Sequence, residues 1–177
     1  MKKILALVLV AVMALCAVSA LAAGSKDNTN IAQATTDSSV VDLEKAEDTE
    51  ATSAIKQAVT DAQEAGNAVD GLPDAVKEQL GEGFTVINEM DTYKLSGDYE
   101  NAEDPIILTF KFETPYEEGE KVILAIGICP PDAEEAEWLV KEGAGNADGD
   151  VEVTVTKAEL QKISDNPFVV IPVRASK

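Results

Sequence analysis

Residues 105–128 read PIILTFKFETPYEEGEKVILAIGI, and the alternation inside this stretch decides the fold class. Ile106, Leu108, Phe110 and Phe112 alternate with Ile107, Thr109, Lys111 and Glu113, the period of two that a half-buried strand requires. The pattern repeats downstream, where Val122, Leu124, Ile126 and Ile128 share one face and Lys121, Ile123, Ala125 and Gly127 the other. Between them Pro115-Tyr116-Glu117-Glu118-Gly119-Glu120 supplies turn residues, so the spacing predicts a β-hairpin with arms 105–114 and 121–128.

Moving outward, the C-terminal third continues the β pattern. Trp138-Leu139-Val140 is a candidate strand, 143–150 a Gly/Asn/Asp turn, and Val151, Val153 and Val155 alternate with polar neighbours. Thr156-Lys157-Ala158-Glu159 has the form of a capping box, and Leu160 and Ile163 follow at helical spacing. Residues 168–173 are apolar on both faces, as in a strand buried between layers, while Pro172 marks an edge position or a bulge. Upstream, Phe84, Val86, Tyr93 and Leu95 read as a strand bent or bulged at 88–91.

Helices come before the β part. Ile55, Ala58, Val59 and Ala62 fall at i, i+3, i+4 and i+7 ahead of Gly66, and a second short helix lies between Pro73 and Gly81 with Leu72, Val76 and Leu80 on one side. Residues 23–50 are Ser-, Thr-, Asp- and Asn-rich with few large apolar side chains and read as a disordered acidic spacer, within which Val40, Val41 and Leu43 offer at most a marginal helix. Lys2 and Lys3 ahead of the apolar run 4–18, closed by Ala20-Leu21-Ala22, read as a Sec-type export signal cleaved after Ala22. Leu15 stands where lipidation at Cys16 would need a small residue. The expected organisation is therefore a leader at 1–22, a spacer at 23–50, a helical segment at 51–82 and a β-sandwich domain at 83–177.

Charge bounds the partners. The chain holds 14 basic and 33 acidic residues, a formal charge of −19; loss of Lys2 and Lys3 with the leader would leave 12 − 33 = −21. Nucleic acid and anionic lipid surfaces repel such a body, and no membrane insertion is expected once the leader is gone. Histidine is absent, so neither a Ser-His-Asp arrangement nor a His-containing zinc site can be built. Loss of Cys16 leaves Cys129 without an intramolecular disulfide partner. No phosphate-binding glycine loop is visible, and the remaining enzymatic possibility is a carboxylate pair of the glycosidase kind.

Residues 84–174 resemble the small immunoglobulin-like β-sandwich domains of secreted and cell-surface bacterial proteins. The run Thr114-Pro115-Tyr116-Glu117-Glu118-Gly119-Glu120-Lys121-Val122 and the strand with its helical turn over 151–163 carry the resemblance. It implies an immunoglobulin-like antiparallel β-sandwich, mainly β with N-terminal helices, that binds or presents other modules; it transfers no site residue.

The candidate ligand-binding residues are Tyr99, Tyr116 and Trp138, since two or three rings on one face would make a platform for a glycan. Asn146, Asp148 and Asp150 place three oxygen side chains in alternation, as hard-cation loops do, although glycine is not sixth in the register of a helix-loop-helix calcium site. Asp132 or Glu134 could complete such a site; the bland alternative is an Asp-Gly turn. No cofactor is expected, with calcium as the alternative. The expected function is that of an exported, non-catalytic binding module for a protein or glycan, set against a calcium-dependent structural module or a small carboxylate hydrolase. A rigid exposed loop at 117–120 would instead point to an enzyme inhibitor.

Overall fold

A computed structural model describes residues 31–80, 83–86, 89–131, 133 and 135–175. The expected leader, the first residues of the spacer, and Asp132 and Glu134 lie outside that set. Among the described residues nine strands run in chain order: β1 (Ile31–Thr36), β2 (Val41–Lys45), β3 (Phe84–Val86), β4 (Asp91–Gly97), β5 (Ile106–Phe112), β6 (Lys121–Ile128), β7 (Glu137–Gly145), β8 (Val151–Val155) and β9 (Phe168–Ala175). Helices α1 (Glu50–Glu64) and α2 (Asp74–Leu80), with a 3-10 turn at Ala68–Gly71 between them, fall between β2 and β3; α3 (Lys157–Ile163) joins β8 to β9.

The chain is mainly antiparallel β with helices, but its strands form one continuous sheet rather than the two facing sheets of the expected sandwich. The order is β1-β5-β8-β7-β6-β9-β4-β2, every pairing antiparallel, and β3 also pairs with β9. The first and last strands of this order, β1 and β2, are consecutive in the chain and lie against each other, so the sheet curls into a nearly closed barrel.

Two expectations are corrected here. Residues 31–45 form β1 and β2 instead of a spacer or a marginal helix; each buries only part of one face, Ile31 in β1 and Val41 and Leu43 in β2, which is why their sequences read as polar. β5 and β6 are not a hairpin either. β5 pairs with β1 and β8, while β6 pairs with β7 and β9, so the β7–β8 hairpin is inserted between them. The connection 113–120 is a strap across the end of that hairpin, with the Tyr116 N–H donating to the Gly149 carbonyl at 3.0 Å, Gly119 N–H to Gly145 at 2.8 Å, and Gly145 N–H to Glu120 at 2.9 Å.

The barrel interior is filled by side chains. Leu108, Phe110, Leu124, Ile126, Val153 and Val170 are all buried there, and Tyr93 meets Phe110 edge-on with ring centroids 5.6 Å apart. One end is capped by α3, whose Thr156–Glu159 capping box forms as expected and which inserts Leu160 and Ile163. The other is plugged by Tyr116 from the strap, edge-on to Phe112 at 5.3 Å.

β6 and β9 are buried on both faces. Their outward residues, Ile123, Ala125, Val169, Ile171 and Val173, form a second core with Val59, Leu72, Val76 and Leu80 of the helical layer. The expected bulge lies beside β9: Val86 pairs with Val173 and Asp91 with Val170, so the β3–β4 chain advances 91 − 86 = 5 residues while β9 advances 173 − 170 = 3. Pro172 sits opposite this interruption, where no ladder partner from β3 or β4 is required of it.

Gly145 makes the strap possible, because a Cβ there would collide with the Glu117 carbonyl oxygen and lie 3.0 Å from Tyr116 Cβ. Gly145→Ala is therefore expected to lower stability by about 1–3 kcal/mol, read as a lower urea midpoint at unchanged slope. An unmoved midpoint would show that the strap has room to spare.

Candidate functional site

An apolar groove lies outside the barrel, between the helical layer and β7. Its floor is Trp138, at the start of β7, opposite Gly127 of β6 in the strand register. Because Gly127 has no side chain, the indole lies over it: a Cβ there would stand 3.0 Å from the Trp138 ring and 3.1 Å from Ile55 Cδ1. One wall is α1, which presents Ala54, Ile55 and Ala58, and the other is Leu72-Pro73 with Ala75 and Gln79 of α2. The groove holds about 790 Å3. It continues past Ala54, which lines both parts, into a smaller recess of about 380 Å3 between Glu50, Ala51 and the Cys129-Pro130-Pro131 turn.

The local sequence explains this shape. Thr49 caps α1 through a reciprocal box with Thr52, the Thr52 N–H reaching the Thr49 hydroxyl at 3.2 Å and the Thr49 N–H reaching the Thr52 hydroxyl at 2.8 Å. Val59 is then fully buried on the sheet side, while Ala51, Ala54 and Ala58 are exposed on the groove side. Helical spacing groups Ala58 with Val59, but in the fold Ala58 turns to the groove and α1 buries a narrower stripe.

Charge around the groove is one-sided. Among the described residues that line it, the charged ones are Glu135 and, in the recess, Glu50. The single lysine of each surrounding element is already matched: Lys56 of α1 to Asp48 at 2.7 Å, Lys77 of α2 to Asp74 at 2.7 Å, and Lys141 of β7 to Glu159 at 2.8 Å.

The three rings singled out in the sequence do not share a platform. Tyr116 is buried at the barrel end with the Arg174 guanidinium 3.9 Å from its ring centroid, and burial pushes its hydroxyl well above the ordinary tyrosine range. Tyr99 packs against the inner core, its hydroxyl donating to the Leu95 carbonyl at 2.6 Å. Trp138, half-buried, belongs to the outer core.

Asn146, Asp148 and Asp150 form the β7–β8 turn. The Asn146 side-chain oxygen accepts the N–H groups of Asp148 and Asp150, each at 3.0 Å, and its amide donates to Glu152 at 2.9 Å. Its oxygen thus serves the turn, with Gly149 at φ +83°. Among the described residues no group of three or more carboxylates or cysteines converges as a metal site would need. Cys129 is buried at the groove's far end, and burial pushes its thiol up.

One acid stands apart. Glu89, in the bulge between β3 and β4, is 5% exposed; its Oε1 accepts the Thr114 N–H at 3.2 Å. Burial, reinforced by Glu113, raises its carboxyl above the ordinary 4.5 against the opposing effects of Thr114 and Arg174. It lines neither part of the groove.

Compared with known proteins, the chain matches no family, no curated protein and no solved structure.

The Glu89 shift has a definite sign. A carboxyl whose folded-state pKa lies above its unfolded value gives the folded chain the extra proton between the two, so its contribution is whole below the unfolded pKa and declines as pH rises through the folded one. Glu89→Gln keeps the acceptor for Thr114 and removes the buried charge. The variant is expected to have the higher urea midpoint at pH 7, with the gap closing below pH ~4; a gap of equal size at both pH values would sink this account.

Proposed function

We propose that this chain is a non-catalytic binding module, exported by its leader, which engages another polypeptide through the groove floored by Trp138. The observation that carries the reading is an open apolar concavity of about 790 Å3 on a chain of formal charge −19. Apolar surface gathered in one place and rimmed by acids is what a docking site looks like, whereas a solubilising surface scatters its apolar atoms. The filled barrel adds support: Leu160 and Ile163 occupy one end and Tyr116 the other, which leaves outer surfaces to do the recognising. A carboxylate hydrolase would need its raised acid in a solvent-open cleft. The raised acid here, Glu89, is buried under the strap.

Trp138 is the chain's single tryptophan, so its emission reports on the groove directly. The neutral apolar dye Nile red is expected to bind the full chain and quench that emission. Ala54→Arg, at an exposed helical position shared by groove and recess, is expected to weaken the dye about tenfold, ~1.4 kcal/mol. Dye binding that ignores the substitution, or no binding at all, would remove the groove as a docking site.

A further inference from the structure

We infer that the occupant of the groove is a cationic amphipathic helix of a partner protein; this rests on the groove being the docking site. The charge argument is local as well as global. Glu50 and Glu135 are the charged residues among the described lining, Glu137 is exposed next to Trp138, and the lysines of α1, α2 and β7 are each matched to an acid. A partner with basic groups flanking its apolar row finds carboxylates at the rim and meets no unmatched cation on those elements. A second copy of this chain is disfavoured by the same charge, since two bodies of −19 repel.

The helical form follows from which backbone surfaces are open. Strand addition needs a free sheet edge, and the open edges among the described strands, on β1, β2, β3 and the 137–142 part of β7, are not what the groove presents: its lining comes chiefly from α1, the Leu72-Pro73 corner, α2 and the Trp138 side chain. The groove offers side-chain packing instead. Ala51, Ala54 and Ala58 recur along the exposed face of α1 at spacings of three and four, small enough for a second helix axis to approach to about 8–10 Å. Trp138 then supplies the large surface against which an apolar anchor of the incoming helix would rest. α1 has 15 residues, so it lies alongside roughly 22 Å of a partner, about four helical turns.

The test uses the full chain and two peptides of about four helical turns, with leucines in helical periodicity and lysines at every other position, or glutamates in place of the lysines. Titrations follow Trp138 emission at roughly 0.15 M salt, where general attraction between exposed charges is screened beyond about 8 Å. The lysine peptide is expected to shift the emission to the blue and to bind at least about tenfold more tightly than the glutamate peptide. Ala54→Glu separates groove docking from general attraction, because it makes the chain more acidic while spoiling the apolar wall; it is expected to weaken the lysine peptide about tenfold. Unchanged or tighter binding by Ala54→Glu, or equal binding of both peptides, overturns the inference. If Nile red binds in the groove and neither peptide does, the occupant has been misassigned while the docking site stands; if neither dye nor peptide binds, both readings fall.

Discussion

Two strands in the middle of the sheet are apolar on both faces, and the rest of the molecule is arranged to cover them. β6 and β9 pair along 122–128 and 168–174, turning Leu124, Ile126, Phe168 and Val170 into the barrel and Ile123, Ala125, Val169 and Ile171 out of it. Each large side chain left in water would forgo about 1.5–3 kcal/mol, so the outer row demands a second layer. The helices provide it through Val59, Leu72, Val76 and Leu80. The segment before β3 therefore supplies about half of that outer core, and Gly71 shows how close the fit is: a Cβ there would stand 2.5 Å from the Ala58 carbonyl oxygen.

An ionic network, of which Asp91 is the deeply buried member, links β2, β4 and α1. Asp91, 2% exposed in β4, meets Lys45 of β2 at 2.5 Å and Lys56 of α1 at 3.8 Å, and Lys56 also meets Asp48 at 2.7 Å. Burial raises Asp48, but Lys56 and the Thr92 hydroxyl that donates to it bring its carboxyl below the ordinary 3.8. Desolvating Asp91 offsets much of its attraction to the two lysines, while losing them would leave a buried charge uncompensated. The network ties Lys56, midway along α1, to β4 and to Asp48 ahead of the helix.

The sequence announces strands far better than it announces which strands are neighbours. Period-two alternation at 106–112, 121–128 and 151–155 survives because each strand buries a face. Pairing does not survive, since a turn-rich link between two strands looks the same whether it closes a hairpin or crosses another hairpin's end. The hint lay in glycines at 145 and 149, which let the strap approach: a Cβ at Gly149 would fall 2.7 Å from Pro115 Cβ. β1 and β2 carry no alternating signal, because IAQATT and VDLEK bury too few residues to show a period. The groove was legible only in part. Trp138 stood out by type, but the wall opposite it is alanine, which carries no periodic signal of its own, and its exposed row emerges only once Val59 is known to face the sheet.

The two burial problems are linked to the site. A barrel filled to both ends has no interior room for a ligand, and β7, next to β6, carries its outward residues Trp138 and Val140 only partly beneath the helices. The helical layer is long enough to close the outer faces of β6 and β9 and stops short over β7. Larger side chains on α1 would cover more of the indole, but the chain has Ala54 and Ala58 there. The alanines leave apolar surface uncovered on an otherwise acidic molecule, a cost to the isolated chain that a partner helix would offset.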